Sequence, residues 1–140
     1  MKTTNLMMLG LAAGFLAACS SSSKITEIDP ATKPMVFFAF DSSEISEEAR
    51  NNLLGQSLYL KNHKDQKVKV EGHCDERGTA EYNLALGARR ANAAKTVMVK
   101  DGVDAKRIST VSYGKERPWK LGTGEEVWRY NRNATTVVKP

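Results

Sequence analysis

The chain has 140 residues, a formal net charge of +5 and 26% charged side chains. Its Lys and Arg residues alternate with Asp and Glu instead of forming one unbroken basic stripe, which argues against nucleic acid as a partner. It has two cysteines, Cys19 and Cys74, and once Cys19 is committed elsewhere no disulfide framework is left.

Lys2 is the only charged residue before Cys19, and the stretch from Leu6 to Ala18 is apolar apart from small residues. It falls short of the about 20 residues that span a bilayer, but it suits the apolar core of a secretory signal. Leu16-Ala17-Ala18-Cys19 resembles the lipobox of bacterial lipoprotein signals, which implies cleavage before Cys19 and acylation there. An ordinary signal peptide with a free cysteine nearby is the alternative. Ser20 in place of Asp after the cysteine implies, by the same resemblance, sorting to the outer membrane. Residues 1–18 are thus read as a signal and 19–34, which open with a serine run and have no apolar period, as a lipidated flexible tether. Residues 35–140 form one domain of ordinary size.

Met35 to Phe40 is apolar on both faces and predicts a central strand. Ser46 followed by Glu47 and Glu48 is an N-cap with acids in the first turn, opening a helix to about Lys61 with Ala49, Leu53, Leu54 and Leu58 on its apolar face. Val68, Val70 and Gly72 alternate with charged residues as in a strand with one wet face. A long, Ala-rich helix begins at Thr79 and stops at Gly102; Leu84, Ala88, Ala91 and Ala94 form one side, and Leu86, Arg90, Ala93 and Val97 the next. Ile108 to Tyr113 reads as a strand, Glu125 to Arg129 as a short helix and Ala134 to Val138 as a β-branched last strand. Trp119, Trp128 and Tyr130 read as aromatics buried beside that strand, although stacking on sugars or a protein interface would use the same residues. The sum is an α+β fold, a two-layer βαβαβ(α)β sandwich with helices on one face of a mixed four-stranded sheet.

The run from Gly72 to Asn92 carries the most functional information. Asp75 lies in the loop after a strand and Arg90, fifteen residues on, lies in the following helix. A carboxylate and a guanidinium so placed can hold a small zwitterion by its ammonium and carboxylate ends together. Taken singly, Asp75 also reads as a turn cap and Arg90 as a solvated helix charge. The order Asp75, Gly78, Tyr82-Asn83-x-x-Leu86, Arg89-Arg90-Ala91-Asn92 resembles the OmpA-like C-terminal domain family over roughly Met35 to Val138.

That resemblance implies a non-enzymatic domain, without cofactor, that binds peptidoglycan through meso-diaminopimelate held by Asp75 and Arg90. It implies lesser roles for Phe40 and Asp41 as a wall of the site, Arg77 as a second cation and Leu86 as an apolar rim. With the lipidated Cys19, it implies a periplasm-facing tether between outer membrane and cell wall. Members of the family also bind the TolB β-propeller of the Tol cell-division system, so a TolB-like periplasmic protein is the second implied partner. Cys74, where the family more often has Ala or Thr, and Asn133, where it more often has a second Arg after Asn131-Arg132, are departures. A wall-cleaving enzyme using Cys74 or the adjacent acids is the remaining reading. It lacks a converging base, and neighbouring residues of a strand such as His73 and Cys74 point to opposite faces and make neither a dyad nor a metal site. A motor-stator anchor would need a transmembrane helix, which the sequence does not show.

Overall fold

The computed structural model describes residues 24–140; the signal segment, Cys19 and the serine run lie outside the described residues. The elements are β1 (Met35–Phe37), α1 (Glu47–Asn62), β2 (Val68–His73), α2 (Ala80–Lys100), a single 3-10 turn at Ala105–Arg107, β3 (Ile108–Gly114), α3 (Glu125–Asn131) and β4 (Asn133–Val138). The sheet has four strands in the order β1-β4-β2-β3, with β4 antiparallel to both neighbours and β2 parallel to β3. The α+β sandwich and mixed sheet are those expected. One face is covered by α1 and α2, and the apolar core lies there, with Val68 and Val70 from β2 and Ala134 from β4 against Leu53, Leu60, Ala91, Ala94 and Met98.

Local chemistry sets the helix ends. The Ser46 hydroxyl accepts from the Ala49 N–H at 3.1 Å, and the Thr79 hydroxyl accepts from the Tyr82 N–H at 3.1 Å, each relieving a donor that the first helical turn cannot satisfy. Small residues set the depth of α2 on the sheet. A Cβ on Gly72 would lie 1.7 Å from the Gly87 carbonyl oxygen, and one on Gly87 would lie 2.3 Å from Ser112 Oγ. This contact brings Arg90, one turn further along α2, down to the carboxyl end of β2. It also turns Leu84 and Ala88, read from the sequence as one packing side, out to solvent.

Two expectations are corrected. The apolar run from Met35 does not form a central strand: β1 is three residues long, lies at the sheet edge and pairs only with β4. Its first two aromatics part because successive side chains of extended backbone point opposite ways, and the turn that begins at Phe40 takes the third out of the strand. Phe38 is buried, Phe37 leans edge-on against Tyr130, and Phe40 is 59% exposed. The second correction concerns the start of the folded part. The Ile28 N–H donates to the Gly55 carbonyl at 3.0 Å, Pro30 is fully buried, and Gln56 Nε2 donates to the Lys33 carbonyl at 3.2 Å, so the chain is docked on α1 well before Met35. No helix among the described residues is long and apolar enough to cross a membrane.

Candidate functional site

Three connections meet where β1 and β2 end: the loop after β1, the loop from β2 into α2, and the junction of α3 with β4. The first two, with the start of α2, line a cavity of about 200 Å³ whose walls include Phe40, Asp41, Asp75, Arg77, Leu86 and Arg90, and the α3–β4 junction backs it through contacts to Arg77 and Asp75. All six candidate residues are therefore brought together.

Arg90 is 1% exposed, not a solvated helix charge. Its side chain runs back toward the start of α2, as long side chains on helices do. The guanidinium donates through Nε to the Ser42 carbonyl at 2.9 Å, through Nη1 to His73 at 2.9 Å and through Nη2 to Ala39 at 3.1 Å. It thereby pins the loop after β1 to the end of β2. Those three bonds leave two of its five N–H groups uncommitted. Burial pulls the guanidinium below its ordinary value, yet an arginine starts so high that it stays charged.

Asp75 is 4% exposed and is doubly engaged by Arg77. Its Oδ1 accepts from the Arg77 backbone N–H at 3.1 Å and from Nε at 3.2 Å, while Oδ2 accepts from Nη2 at 2.8 Å; Arg132 Nη1 stands 3.5 Å from Oδ2. The turn-cap reading and the charge reading thus both apply to this one carboxylate. Burial pushes the Asp75 carboxyl up, but the Arg77 hydrogen bonds and the two guanidinium charges outweigh it and hold it below its ordinary value.

Aromatic rings frame Arg77. Its guanidinium carbon lies 3.8 Å from the Phe40 ring centre and 4.0 Å from that of Trp128, a cation held in a slot between two faces. Trp128 is fixed in turn by Glu76, whose Oε1 accepts from the indole Nε1 at 2.9 Å and from the Thr123 hydroxyl at 2.8 Å. Across the cavity the Tyr82 hydroxyl donates to the Asp41 carboxylate, and Asp41 takes a left-handed backbone, φ 52°, that turns the loop after β1 away from the sheet. Cys74 is buried, and its Sγ donates to the Asn83 carbonyl at 3.2 Å. Burial pushes the thiol up, so at neutral pH it is no thiolate.

Trp128, Arg132, Tyr82 and Asn83 also belong to this constellation; the sequence offers Trp128 only as a surface for stacking, and Tyr82, Asn83 and Arg132 only as letters of the OmpA-like signature. Arg132 donates through Nε to the Phe38 carbonyl at 2.8 Å and meets Glu125 with both terminal nitrogens, at 3.1 and 2.6 Å. The available signal was the spacing Glu125, Trp128, Arg132, which puts the three along one side of α3 and its last turn. Asn133 takes no place in the cavity: its amide donates to the Tyr130 carbonyl at 2.7 Å, closing the turn from α3 into β4. The expectation of buried aromatics beside β4 holds in part for half-buried Trp128 and Tyr130 and fails for Trp119, which is 67% exposed on the loop between β3 and α3.

This fold, with a strand-end cavity pairing a buried acid and a buried guanidinium, is that of an OmpA-like domain. The chain belongs to the OmpA family, which residues 37–132 match. It is 48% identical over 103 residues to the peptidoglycan-associated lipoprotein of Mesorhizobium japonicum, a match covering 74% of this chain and 61% of that protein, so the chain spans about three-fifths of that relative's length. It is 42% identical over 130 residues to the peptidoglycan-associated lipoprotein of Brucella melitensis, covering 93% of this chain and 75% of the relative. The crystal structure of the peptidoglycan-associated lipoprotein from Burkholderia pseudomallei superposes with a TM-score of 0.76 at 40% identity, covering 79% of this chain and 94% of that one.

Proposed function

We propose that this chain is a lipid-anchored protein of the outer membrane that grips peptidoglycan without breaking any bond in it. The observation that carries this reading is one cavity with a buried carboxylate, Asp75, and a buried guanidinium with N–H groups to spare, Arg90, both in its lining. Such a pair suits a group that bears an ammonium and a carboxylate on one centre, and meso-diaminopimelate of the peptidoglycan stem is that group in many Gram-negative walls. The relatives' name, peptidoglycan-associated lipoprotein, supports the same ligand and, with the lipobox at Cys19, the anchor. Phe40, Asp41 and Leu86 wall the cavity, with buried Leu86 as its apolar side. The protonated Cys74 thiol, bonded to a backbone carbonyl, supports a binding role over a nucleophilic one.

A second partner, a TolB-like periplasmic protein of the Tol system, is favoured by the loop after β3, where Trp119 is 67% and Leu121 is 84% exposed beside Lys120. Wall binding and this contact are compatible.

Sedimentation with isolated cell wall tests the main reading. Asp75→Asn keeps the acceptor for the Arg77 backbone N–H but removes the charge, so the variant stays folded and remains in the supernatant while the wall pellets. Undiminished binding by Asp75→Asn, or wall fragments released by the unaltered protein, would contradict it.

A further inference from the structure

An ionised carboxylate offers about four lone-pair positions. On Asp75 three are filled by Arg77, through its backbone N–H, Nε and Nη2, and the Arg132 guanidinium stands 3.5 Å from Oδ2. An incoming ammonium therefore meets a carboxylate already taken up by one guanidinium and faced by a second. Of the groups in the way, Arg132 is tied to the Phe38 carbonyl and to Glu125. The Arg77 side chain is 31% exposed and held otherwise only by the Phe40 and Trp128 rings. It is the one free to move.

We infer that Arg77 is a stand-in for the ligand's ammonium and that binding is an exchange of partners: the ammonium takes Asp75, and the released Arg77 guanidinium takes the ligand's carboxylate alongside Arg90. This rests on the wall-binding reading above and adds the origin of its selectivity. One charge pair, Asp75 with Arg77, exists before binding and two after it, ammonium with Asp75 and carboxylate with Arg77, so a zwitterion enters without stranding a charge. A ligand whose carboxylate is amidated still has to displace Arg77 but offers it nothing in return, and a charge deprived of its partner in a half-buried site is costly.

Trp128 is the positioning residue of this exchange. Its ring and that of Phe40 hold the guanidinium between two aromatic faces, which favours the cation whichever carboxylate it is bonded to. The bond from its indole to Glu76 sets the ring's place, and α3 carries both Trp128 and the cap residue Arg132, so slot and fixed counter-charge are built as one unit.

Calorimetric titration of the intact chain with two probes tests the inference: a stem tripeptide ending in meso-diaminopimelate, and the same peptide amidated at the carboxyl that shares a carbon with that residue's free ammonium. The unaltered protein prefers the free acid by roughly 30-fold or more, the size of one lost charge-assisted pair. In Arg77→Gln the preference collapses to a few-fold and the amide binds at least as well as before, since nothing has to be displaced. Arg77→Lys, which retains the charge but not the fork, keeps an intermediate preference, and Trp128→Ala lowers the preference while the thermal midpoint stays in place. Equal weakening of both probes in Arg77→Gln, or no preference in the unaltered protein, overturns the exchange and leaves the wall-binding reading standing. Failure of the unaltered protein to bind either probe overturns both.

Discussion

Arg90 does two jobs with one side chain, and they cannot be separated by truncation. Its three carbonyl partners, on Ser42, Ala39 and His73, belong to the loop after β1 and to the end of β2. Arg90→Ala leaves those buried acceptors without donors, so it lowers stability by about 3 kcal/mol or more, seen in denaturant unfolding, as well as abolishing binding. Arg90→Lys does nearly as badly, because an ammonium cannot reproduce the planar fork. Asp75 is the cleaner probe. Its folded-state pKa lies below the unfolded value, so its contribution is complete above about pH 4, where the unfolded carboxyl ionises, and is lost as acidification passes through the folded value. Wall sedimentation across pH 7 to 3 therefore holds steady to about pH 4 and fails only below it; a midpoint near pH 6 would point to a different group.

At the scale of elements, the approach of α2 to the sheet decides where Arg90 arrives. Gly72 and Gly87 touch backbone to backbone, and the nearest atom to an added Cβ is a carbonyl oxygen that no rotamer change can move. Gly72→Ala forces α2 away from β2, costs about 3 kcal/mol in thermal or denaturant unfolding, and weakens wall binding even though neither residue touches the ligand. The sequence makes much of this visible, since caps, alternation and the Ala-rich helix are local signals. Ser46, Thr79 and the Val68-Val70 alternation stand where they were read. The edge position of β1 was not legible, because an apolar run looks alike whether its outward aromatics are buried by a neighbouring strand or spent on Tyr130 and on the cavity. The parts that Trp128 and Arg132 take beside the cavity were not legible for a related reason. Their partners, Arg77, Asp75 and Phe38, lie some 50 to 95 residues away in the chain, and only the return of β4 between β1 and β2 joins them.

For the whole molecule, the segment ahead of β1 changes how a wall-to-membrane link would carry load. Cys19 stands nine residues before Ile28, a stretch that reaches at most about 30 Å, so an anchor at Cys19, as proposed, would keep the domain within that radius. From Glu27 onward the chain is fastened in sequence: Glu27 accepts from Asn62, Ile28 donates to Gly55, Gln56 holds Lys33, and the Thr136 N–H donates to Pro34. Tension applied at the N-terminus would strip these fastenings one at a time, while the pairing of β1 with β4 and the cavity behind it stay unstressed. Pulling a single molecule between its N-terminus and a wall fragment in the site gives an early, low-force extension of about 20 Å before the domain unfolds, whereas Gln56→Ala and Asn62→Ala together lower the force of that first step. In a link of the kind proposed, the docked segment of residues 27–34 would act as about 20 Å of rip-stitch, yielding slack before the grip itself is strained.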